Sequence, residues 1–192
     1  GIVLAPGELV SFNDVVGART EQNGFRRAPE IYKGEMVQGV GGGTCQVSST
    51  LHAAAFSAGL DVVERYPHSR PSEYIGLGLD STVSWPSVDL KLKNPWSFPI
   101  VVHTVIDRGK LRVQLLGKEK PATVTYARDT LAVIPFKRKV TESTWVEPGK
   151  VVQKQKVIRG YAIRKSRTIA LADGTLRVET TVDHYPPTPE HL

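Results

Sequence analysis

The chain has 192 residues, of which 40% are hydrophobic and 23% are charged, a composition that suits one or two globular domains and excludes a disordered chain. A single cysteine excludes an internal disulfide and any zinc site built from several thiolates. The net charge of +6 fits an anionic partner such as nucleic acid, a membrane surface or a wall polymer, while no apolar run approaches the roughly 20 residues of a membrane span.

The positive charge is concentrated in the C-terminal part. Residues 1–118 contain 12 basic and 11 acidic residues, whereas residues 119–192 contain 13 and 8. A shift of composition after "GKEKP" coincides with this change, so we predict two domains, 1–118 and 119–192. The sequence starts at Gly1 inside a strand-like pattern and shows no signal peptide. We expect any targeting segment or anchor to lie outside these 192 residues.

The sequence of the N-terminal domain predicts short strands and one clear helix. "APGELVSF" indicates a turn and a strand over residues 9–12, and "GFRRAPEIYKGEMVQGV" indicates loop and strand punctuated by glycine. The helix begins around Cys45, with Thr44 as N-cap, and ends at Gly59. Its apolar face is formed by Val47, Leu51, Ala54, Ala55 and Ala58.

The sequence after this helix predicts only strands and loops. A strand follows the helix, then a loop rich in Pro and Gly, then a β-meander over residues 88–117. In the C-terminal domain, "VVQKQKVIRGYAIRKSRTIAL" and "TLRVETTVDHYP" predict strands with one solvated basic face, and "YPPTPEHL" predicts an exposed tail. We therefore expect an α+β fold with one central helix packed on a mostly antiparallel sheet, followed by a small all-β domain.

The stretch "GGGTCQ" is the best candidate for chemistry. A thiolate attacks carbonyls, and a helix N-terminus favours the thiolate through its free N–H groups and dipole. Cys45 lies at such a start, behind glycines including Gly42 and Gly43 that can approach a substrate and bind an oxyanion; Gln46 adds a side-chain donor. The alternative is a small buried cysteine beside a tight turn.

His68 is the preferred general base. It lies in "YPHSRPSEY", a loop that can fold back on the helix start, whereas His52 is seven positions after Cys45 and roughly 10 Å away along the helix. Arg70 beside it can hold a substrate carboxylate, and Tyr74 is expected to line the pocket. No catalytic role is expected for the remaining histidines, which are His103, His184 and His191.

A carboxylate that orients His68 would complete a thiol triad. The candidates are Glu64, Glu73, Asp80 and Asp89. We prefer Asp80 because "GLGLDSTV" places it after a glycine loop at the start of a strand. The scattered histidines lack metal-ligand spacing, so no metal or other cofactor is expected.

These motifs together resemble the VanW family of bacterial envelope proteins. The resemblance covers about residues 2–118 and rests on "APGELVSFNDVVG", "GFRRAPEIYKGE", "GGGTCQ", "ERYPHSRP", "DSTV" and "DLKLKN". The sequence departs from the usual family pattern at "LGLDSTV", around Asp80. The stretch "EPGKVVQKQKVIRGYAIRKSRTI" with "YPPTP" looks like a small β-rich, wall-associated extension.

The resemblance implies an extracytoplasmic protein that acts on peptidoglycan. Such domains have been linked to L,D-transpeptidase activity, in which Cys45 would attack a stem peptide and His68 would act as its base. Gly43, Cys45 and Gln46 would then surround the oxyanion, and Arg70 would bind a stem carboxylate. The Ser-His-Gly-Cys signature of familiar L,D-transpeptidases is absent, so a shared activity would use a different scaffold.

Two alternatives stay open. Hydrolysis of the same thioester would make the protein a thiol peptidase acting on stem peptides. A non-catalytic module that binds the cell wall through its basic C-terminal strands, for example to anionic wall polymers, would leave Cys45 buried and inert. Nucleic acid is not an expected partner, because the basic strands lack interleaved aromatic residues.

Overall fold

The computed structural model describes residues 1–32, 35–140, 144–147, 149–152, 157–188 and 190–191. The α-helices and strands are β1 (Ile2–Leu4), β2 (Leu9–Ser11), α1 (Phe12–Val16), β3 (Arg27–Tyr32), β4 (Glu35–Val40), α2 (Thr44–Ser57), β5 (Asp61–Glu64), β6 (Lys91–Lys93), β7 (Ile100–Asp107), β8 (Lys110–Leu116), β9 (Ala122–Ile134), β10 (Arg138–Lys139), β11 (Gly160–Leu171), β12 (Leu176–Tyr185) and β13 (Glu190–His191). No helix in this described part is long and apolar enough to cross a bilayer.

The strands of the described residues divide among five small sheets. Three sheets have three strands each, in the orders β1-β7-β8, β2-β6-β5 and β12-β11-β9. The hairpin β3-β4 and the pair β10-β13 stand apart from them. All pairings are antiparallel except β10-β13, which is parallel.

The expected fold class is wrong. The chain is mostly β, with 45% strand and 13% helix, and α2 does not lie on one continuous sheet. Strands β2, β5 and β6 have only three or four residues each, and the long segment between β5 and β6 makes isolated bridges such as Tyr66–Thr82 instead of strands. Within the predicted meander, Pro95 and Pro99 separate β6 from β7, and the two strands belong to different sheets.

The helix α2 is nevertheless central to the N-terminal half. It packs against β5 and β8, and Ala55 lies with Leu60, Leu90 and Leu92 in a cluster of fully buried side chains. Cys45 packs against the edge of the same cluster. Because burial of this face accounts for most of the stability of a single helix, the position of Cys45 is set by the core.

The C-terminal sheet packs on the far end of α2, and this overturns the prediction of a solvated basic face. Lys165 and Arg167 on β11 are buried, at 7% and 1% exposure. The Arg167 guanidinium donates to the carbonyl oxygens of Phe56 and Leu60, both at 2.8 Å. These carbonyls lie at the end of the helix, where cations are favoured, so the alternating basic residues serve internal contacts.

The prediction of an exposed tail is also wrong for its first residues. Tyr185 is fully buried and Thr188 is 2% exposed. The strand predicted from residue 151 begins at Gly160, and residues 153–156 lie outside the described part. The boundary predicted after residue 118 falls between β8 and β9, and the division into domains stays a prediction.

Candidate active site

The helix α2 begins where the sequence predicts, although its N-cap differs. Gly43 is the N-cap in a left-handed conformation (φ 92°), and no side chain caps the helix. Thr44, expected to be the N-cap, is the first helical residue, and its hydroxyl donates to the carbonyl oxygen of Gly41 at 2.5 Å. Cys45 is therefore the second residue of a helix whose N-terminal N–H groups are left without a capping side chain.

The glycine run is required by packing as well as by conformation. A Cβ atom on Gly42 would lie 2.6 Å from Cβ of Ala28 and 2.7 Å from the carbonyl oxygen of Pro29, both on β3. Gly43 faces open space, and its positive φ disfavours other residues. The turn is thus held tightly against β3 on one side and left open on the other.

Two backbone N–H groups at this turn are unpaired among the described residues. The N–H groups of Gln46 and Val47 donate to the carbonyl oxygen of Gly43, at 3.0 and 3.2 Å. The N–H groups of Gly43 and Cys45 have no acceptor among the described residues. Two free donors beside a thiol are the arrangement that stabilises the oxyanion of an acyl-transfer reaction.

The sulfur of Cys45 lies against the backbone of Val83. Its Sγ atom is 3.5 Å from both the N and the O of that residue. Cys45 is half-buried, so it is neither fully enclosed nor freely solvated. The prediction that it is a buried structural thiol is therefore not supported by its exposure, and its catalytic role stays a prediction.

His68 and Asp80 meet at the bottom of the site. Nδ1 of His68 is 2.7 Å from Oδ2 of Asp80, which also accepts from the His68 backbone N–H at 2.8 Å. Burial alone lowers the pKa of His68, but the bond to Asp80 and the neighbouring Cys45 thiol raise it to about 9. At neutral pH, the imidazole therefore favours the protonated state beside the thiol.

Asp80 is held as a carboxylate from two further directions. Arg65 donates from Nη2 to Oδ1 at 2.7 Å and from Nε to the backbone oxygen of Asp80 at 2.6 Å. Tyr185 donates to Oδ1 at 2.5 Å. Although burial raises the pKa of Asp80, the bonds from His68, Arg65 and Tyr185 outweigh it and lower that pKa well below its ordinary value.

Tyr74 reaches the other nitrogen of the imidazole. Its hydroxyl lies 3.0 Å from Nε2 of His68, and the two rings meet edge to face at 6.0 Å between centroids. Burial of this hydroxyl raises the pKa of Tyr74, so the group is a neutral phenol at physiological pH. The structure brings Tyr74 to the site as expected.

Arg19 is a site residue that the sequence reasoning missed. Its guanidinium donates to Oδ1 of Asn13 at 2.7 Å and to the carbonyl oxygen of Gly17 at 2.5 Å. Burial lowers the pKa of Arg19. The nearby Cys45 makes the largest contribution that opposes this lowering. Nothing in "GARTEQNG" marks this residue, because its role depends on the turn at Gly41, on which its side-chain stem packs.

Arg19, Cys45, His68 and Tyr74 line one groove with a volume of about 1550 Å³, and Asp80 is buried behind it. Its lining includes the remaining predicted residues, Gly42, Gln46 and Arg70. Gln46 is exposed, and Nε of the half-buried Arg70 has no hydrogen-bond partner among the described residues. His184, to which no role was assigned, also lines this groove from the C-terminal half.

The other candidates lie away from the site or have other partners. His52 is fully buried, with Nδ1 2.7 Å from the Leu79 oxygen, and burial lowers its pKa to about 3. Glu64 pairs with Lys91 at 2.7 Å. Asp89 accepts from Ser11 and Asn13, whereas Glu73 is an exception: it is exposed and lines the groove. No cluster of three or more metal-ligating side chains occurs in the described part of the chain.

Comparison with known proteins places these residues in a family. The profile described as "VanW like protein" matches residues 1–116. The chain is 44% identical over 117 residues to YoaR of Bacillus subtilis (strain 168), which covers 61% of this chain and 39% of the relative. It is 25% identical over 126 residues to the "Vancomycin B-type resistance protein VanW" of Enterococcus faecalis (strain ATCC 700802 / V583), covering 63% and 46%.

The chain thus spans less than half the length of either relative. No solved structure matches it significantly.

Proposed function

Because the chain belongs to the family of VanW-like proteins, we propose that it is a cysteine-dependent acyltransferase of the cell envelope, an L,D-transpeptidase that acts on the stem peptides of peptidoglycan. The observation that carries the proposal is the joint position of Cys45 and His68 in one groove, with the carboxylate of the buried Asp80 bonded to Nδ1 of His68 behind it. A nucleophile, a base and a carboxylate that orients the base are the parts that thiol acyl transfer needs.

The first half-reaction forms a thioester. The thiolate of Cys45 attacks the carbonyl carbon of the peptide bond before the terminal D-amino acid, and the N–H groups of Gly43 and Cys45 donate hydrogen bonds to the oxyanion. The C–N bond then breaks, and the imidazolium of His68 gives its proton to the leaving amine. The free D-amino acid departs, and the stem stays attached to the sulfur.

The second half-reaction reverses the roles. An amine of a neighbouring stem attacks the thioester, and neutral His68 removes its proton. Collapse of the tetrahedral intermediate expels the Cys45 thiolate and leaves a new amide bond between two stems. The proton on His68 restores the starting ion pair, so no further reactant is required.

The size of the groove supports transfer over hydrolysis. A pocket for one drug-sized ligand has about 300–1,000 Å³, whereas this groove has about 1550 Å³. That volume leaves room for a donor peptide and an acceptor amine on either side of Cys45. Hydrolysis of the thioester is the alternative when the acceptor is absent.

Two arginines are suited to the carboxylates of the stems. Arg70 lines the groove with an unpaired buried Nε among the described residues, and Arg19 is fixed by Asn13 close to Cys45. A guanidinium binds carboxylates through paired N–H donors, so both arginines support an anionic substrate.

The second candidate, a wall-binding module, has less support. It rests on the excess of basic residues in 119–192, and two of these, Lys165 and Arg167, are buried against α2. The exposed Arg164 is the remaining basic residue of that run on β11. Binding to anionic wall polymers therefore has fewer available charges than the sequence suggested.

Intact-protein mass spectrometry with purified muropeptides tests the proposal. A tetrapeptide donor alone should give an adduct on Cys45 with loss of the terminal residue, and addition of an acceptor stem should give a cross-linked dimer. Cys45→Ala should give neither product. Release of tripeptide without any dimer would establish the hydrolytic alternative, and the absence of adduct, dimer and tripeptide from the folded protein would refute both.

A further inference from the structure

Tyr185 reaches the candidate active site from the C-terminal sheet. It is the last residue of β12, it pairs with Tyr161 of β11, and it is fully buried. Its hydroxyl donates to Oδ1 of Asp80 at 2.5 Å and accepts from the backbone N–H of Gly78 at 2.8 Å. The matched family profile ends at residue 116, so this contact comes from outside the family region.

The two oxygens of Asp80 have separate partners. Oδ2 receives both hydrogen bonds of His68, and Oδ1 receives those of Arg65 and Tyr185. Rotation of the carboxylate would break bonds on both sides at once. The donors on Oδ1 therefore fix the direction in which Oδ2 faces the imidazole.

The same strand also holds Arg65. Asp183 lies two residues before Tyr185, and alternate residues of a strand share a face. Oδ1 of Asp183 is 2.6 Å from Nη1 of Arg65, and both side chains are buried. Strand β12 thus supports Asp80 directly through Tyr185 and indirectly through the ion pair of Asp183 with Arg65.

We propose that Tyr185 is a positioning residue for the Asp80–His68 pair, so that the active site is complete only with the C-terminal sheet in place. This inference rests on the proposed function, because the pair matters for catalysis only if Cys45 is the nucleophile. Tyr185 is buried behind Asp80 and acts through it, whereas its neighbours His184 and Pro186 line the groove.

The alternative is that Tyr185 only stabilises the fold. A tyrosine that only fills space would be replaced by phenylalanine with a change in stability and no change at His68. A positioning tyrosine changes the hydrogen bond between Asp80 and His68. The two roles therefore separate in a measurement made on that bond.

The test compares Tyr185→Phe with Tyr161→Phe, which removes a hydroxyl from the paired residue on the neighbouring strand. In proton NMR, the downfield resonance of the His68 Nδ1–H should move upfield in Tyr185→Phe, because Asp80 is held less firmly. The kcat of dimer formation should fall about tenfold at nearly constant KM, the loss expected from one hydrogen bond to a charged group. Tyr161→Phe should match wild type in both readouts.

A wild-type resonance and a wild-type kcat in folded Tyr185→Phe would overturn the inference. If that variant does not fold, difluorotyrosine at position 185 keeps the hydroxyl and its acceptor role towards Gly78. Its more acidic hydroxyl should withdraw charge from Asp80 and move the His68 resonance upfield, and an unmoved resonance overturns the inference. If wild type forms no dimers, the proposed function fails, and the resonance still decides the role of Tyr185.

Discussion

The charge of Asp80 is expected to control the protonation of His68. Asp80→Asn keeps the size of the side chain and removes the charge that lies 2.7 Å from Nδ1. Burial lowers the pKa of His68, and Asp80 and the Cys45 thiol raise it from 6.5 to about 9. This net rise corresponds to about 3 kcal/mol. Without the carboxylate, Cys45 is the remaining neighbour that opposes burial, and the pKa of His68 should fall from about 9 towards its ordinary value of 6.5.

Alkylation of Cys45 by iodoacetamide measures this effect. At about pH 7.5, a pKa of about 9 keeps nearly all of His68 protonated, whereas a return to the ordinary value of 6.5 leaves about a tenth. We expect the alkylation rate at that pH to fall by up to about tenfold in Asp80→Asn and to fall at least as far in His68→Ala.

The matched control is Asp89→Asn. Asp89 is equally buried, but its carboxylate accepts from Ser11 and Asn13 and not from His68. This variant should alkylate at the wild-type rate. An unchanged rate in Asp80→Asn, or an equal loss in Asp89→Asn, would refute the reasoning that the Asp80 charge activates the pair.

Three further changes test the site and its support. Arg19→Gln should raise the KM of a donor stem with a free terminal carboxylate about tenfold, with a smaller effect on an amidated donor, and an equal effect on both would contradict carboxylate binding. His52 has a lowered pKa of about 3, so its stabilising effect is present above pH 6.5 and is lost as the pH falls; in urea unfolding, His52→Asn should therefore lose less stability than wild type between about pH 7 and about pH 4.5, by roughly 3 kcal/mol, and an unchanged loss would exclude His52 as the acid-sensitive group. Gly42→Ala should cost about 1–3 kcal/mol through its contact with Ala28, whereas Gly7→Ala, which has open space around it but a positive φ, should show only backbone strain; equal costs would rule out the contact.

Local patterns in the sequence were sufficient to predict the start of α2 and the loop that lies beside it. The glycine run and the apolar periodicity of α2 depend on neighbouring residues, so both the helix start and the place of Cys45 were predictable. The loop that carries His68 and Asp80 was found because its prolines and glycines punctuate the chain. The geometry that joins them depends on Arg65 and Tyr185, which are 120 residues apart, and no local pattern reports such a contact.

The errors arose where tertiary packing determines exposure. Alternation of basic and apolar residues in β11 has the same form whether the basic side faces water or another element. Lys165 and Arg167 face α2, where the helix end and Asp183 provide partners. The fold class failed for a related reason, because strand length and sheet membership depend on distant pairings.

The contact between Cys45 and Val83 has a consequence for proton loss at the sulfur. As a thiol, the side chain can donate to the carbonyl oxygen of Val83, and as a thiolate it can accept from the N–H of the same residue, with both atoms at 3.5 Å. The sulfur therefore has a backbone hydrogen-bond partner at Val83 in either state. Neither contact requires Val83 to move when the sulfur changes from donor to acceptor.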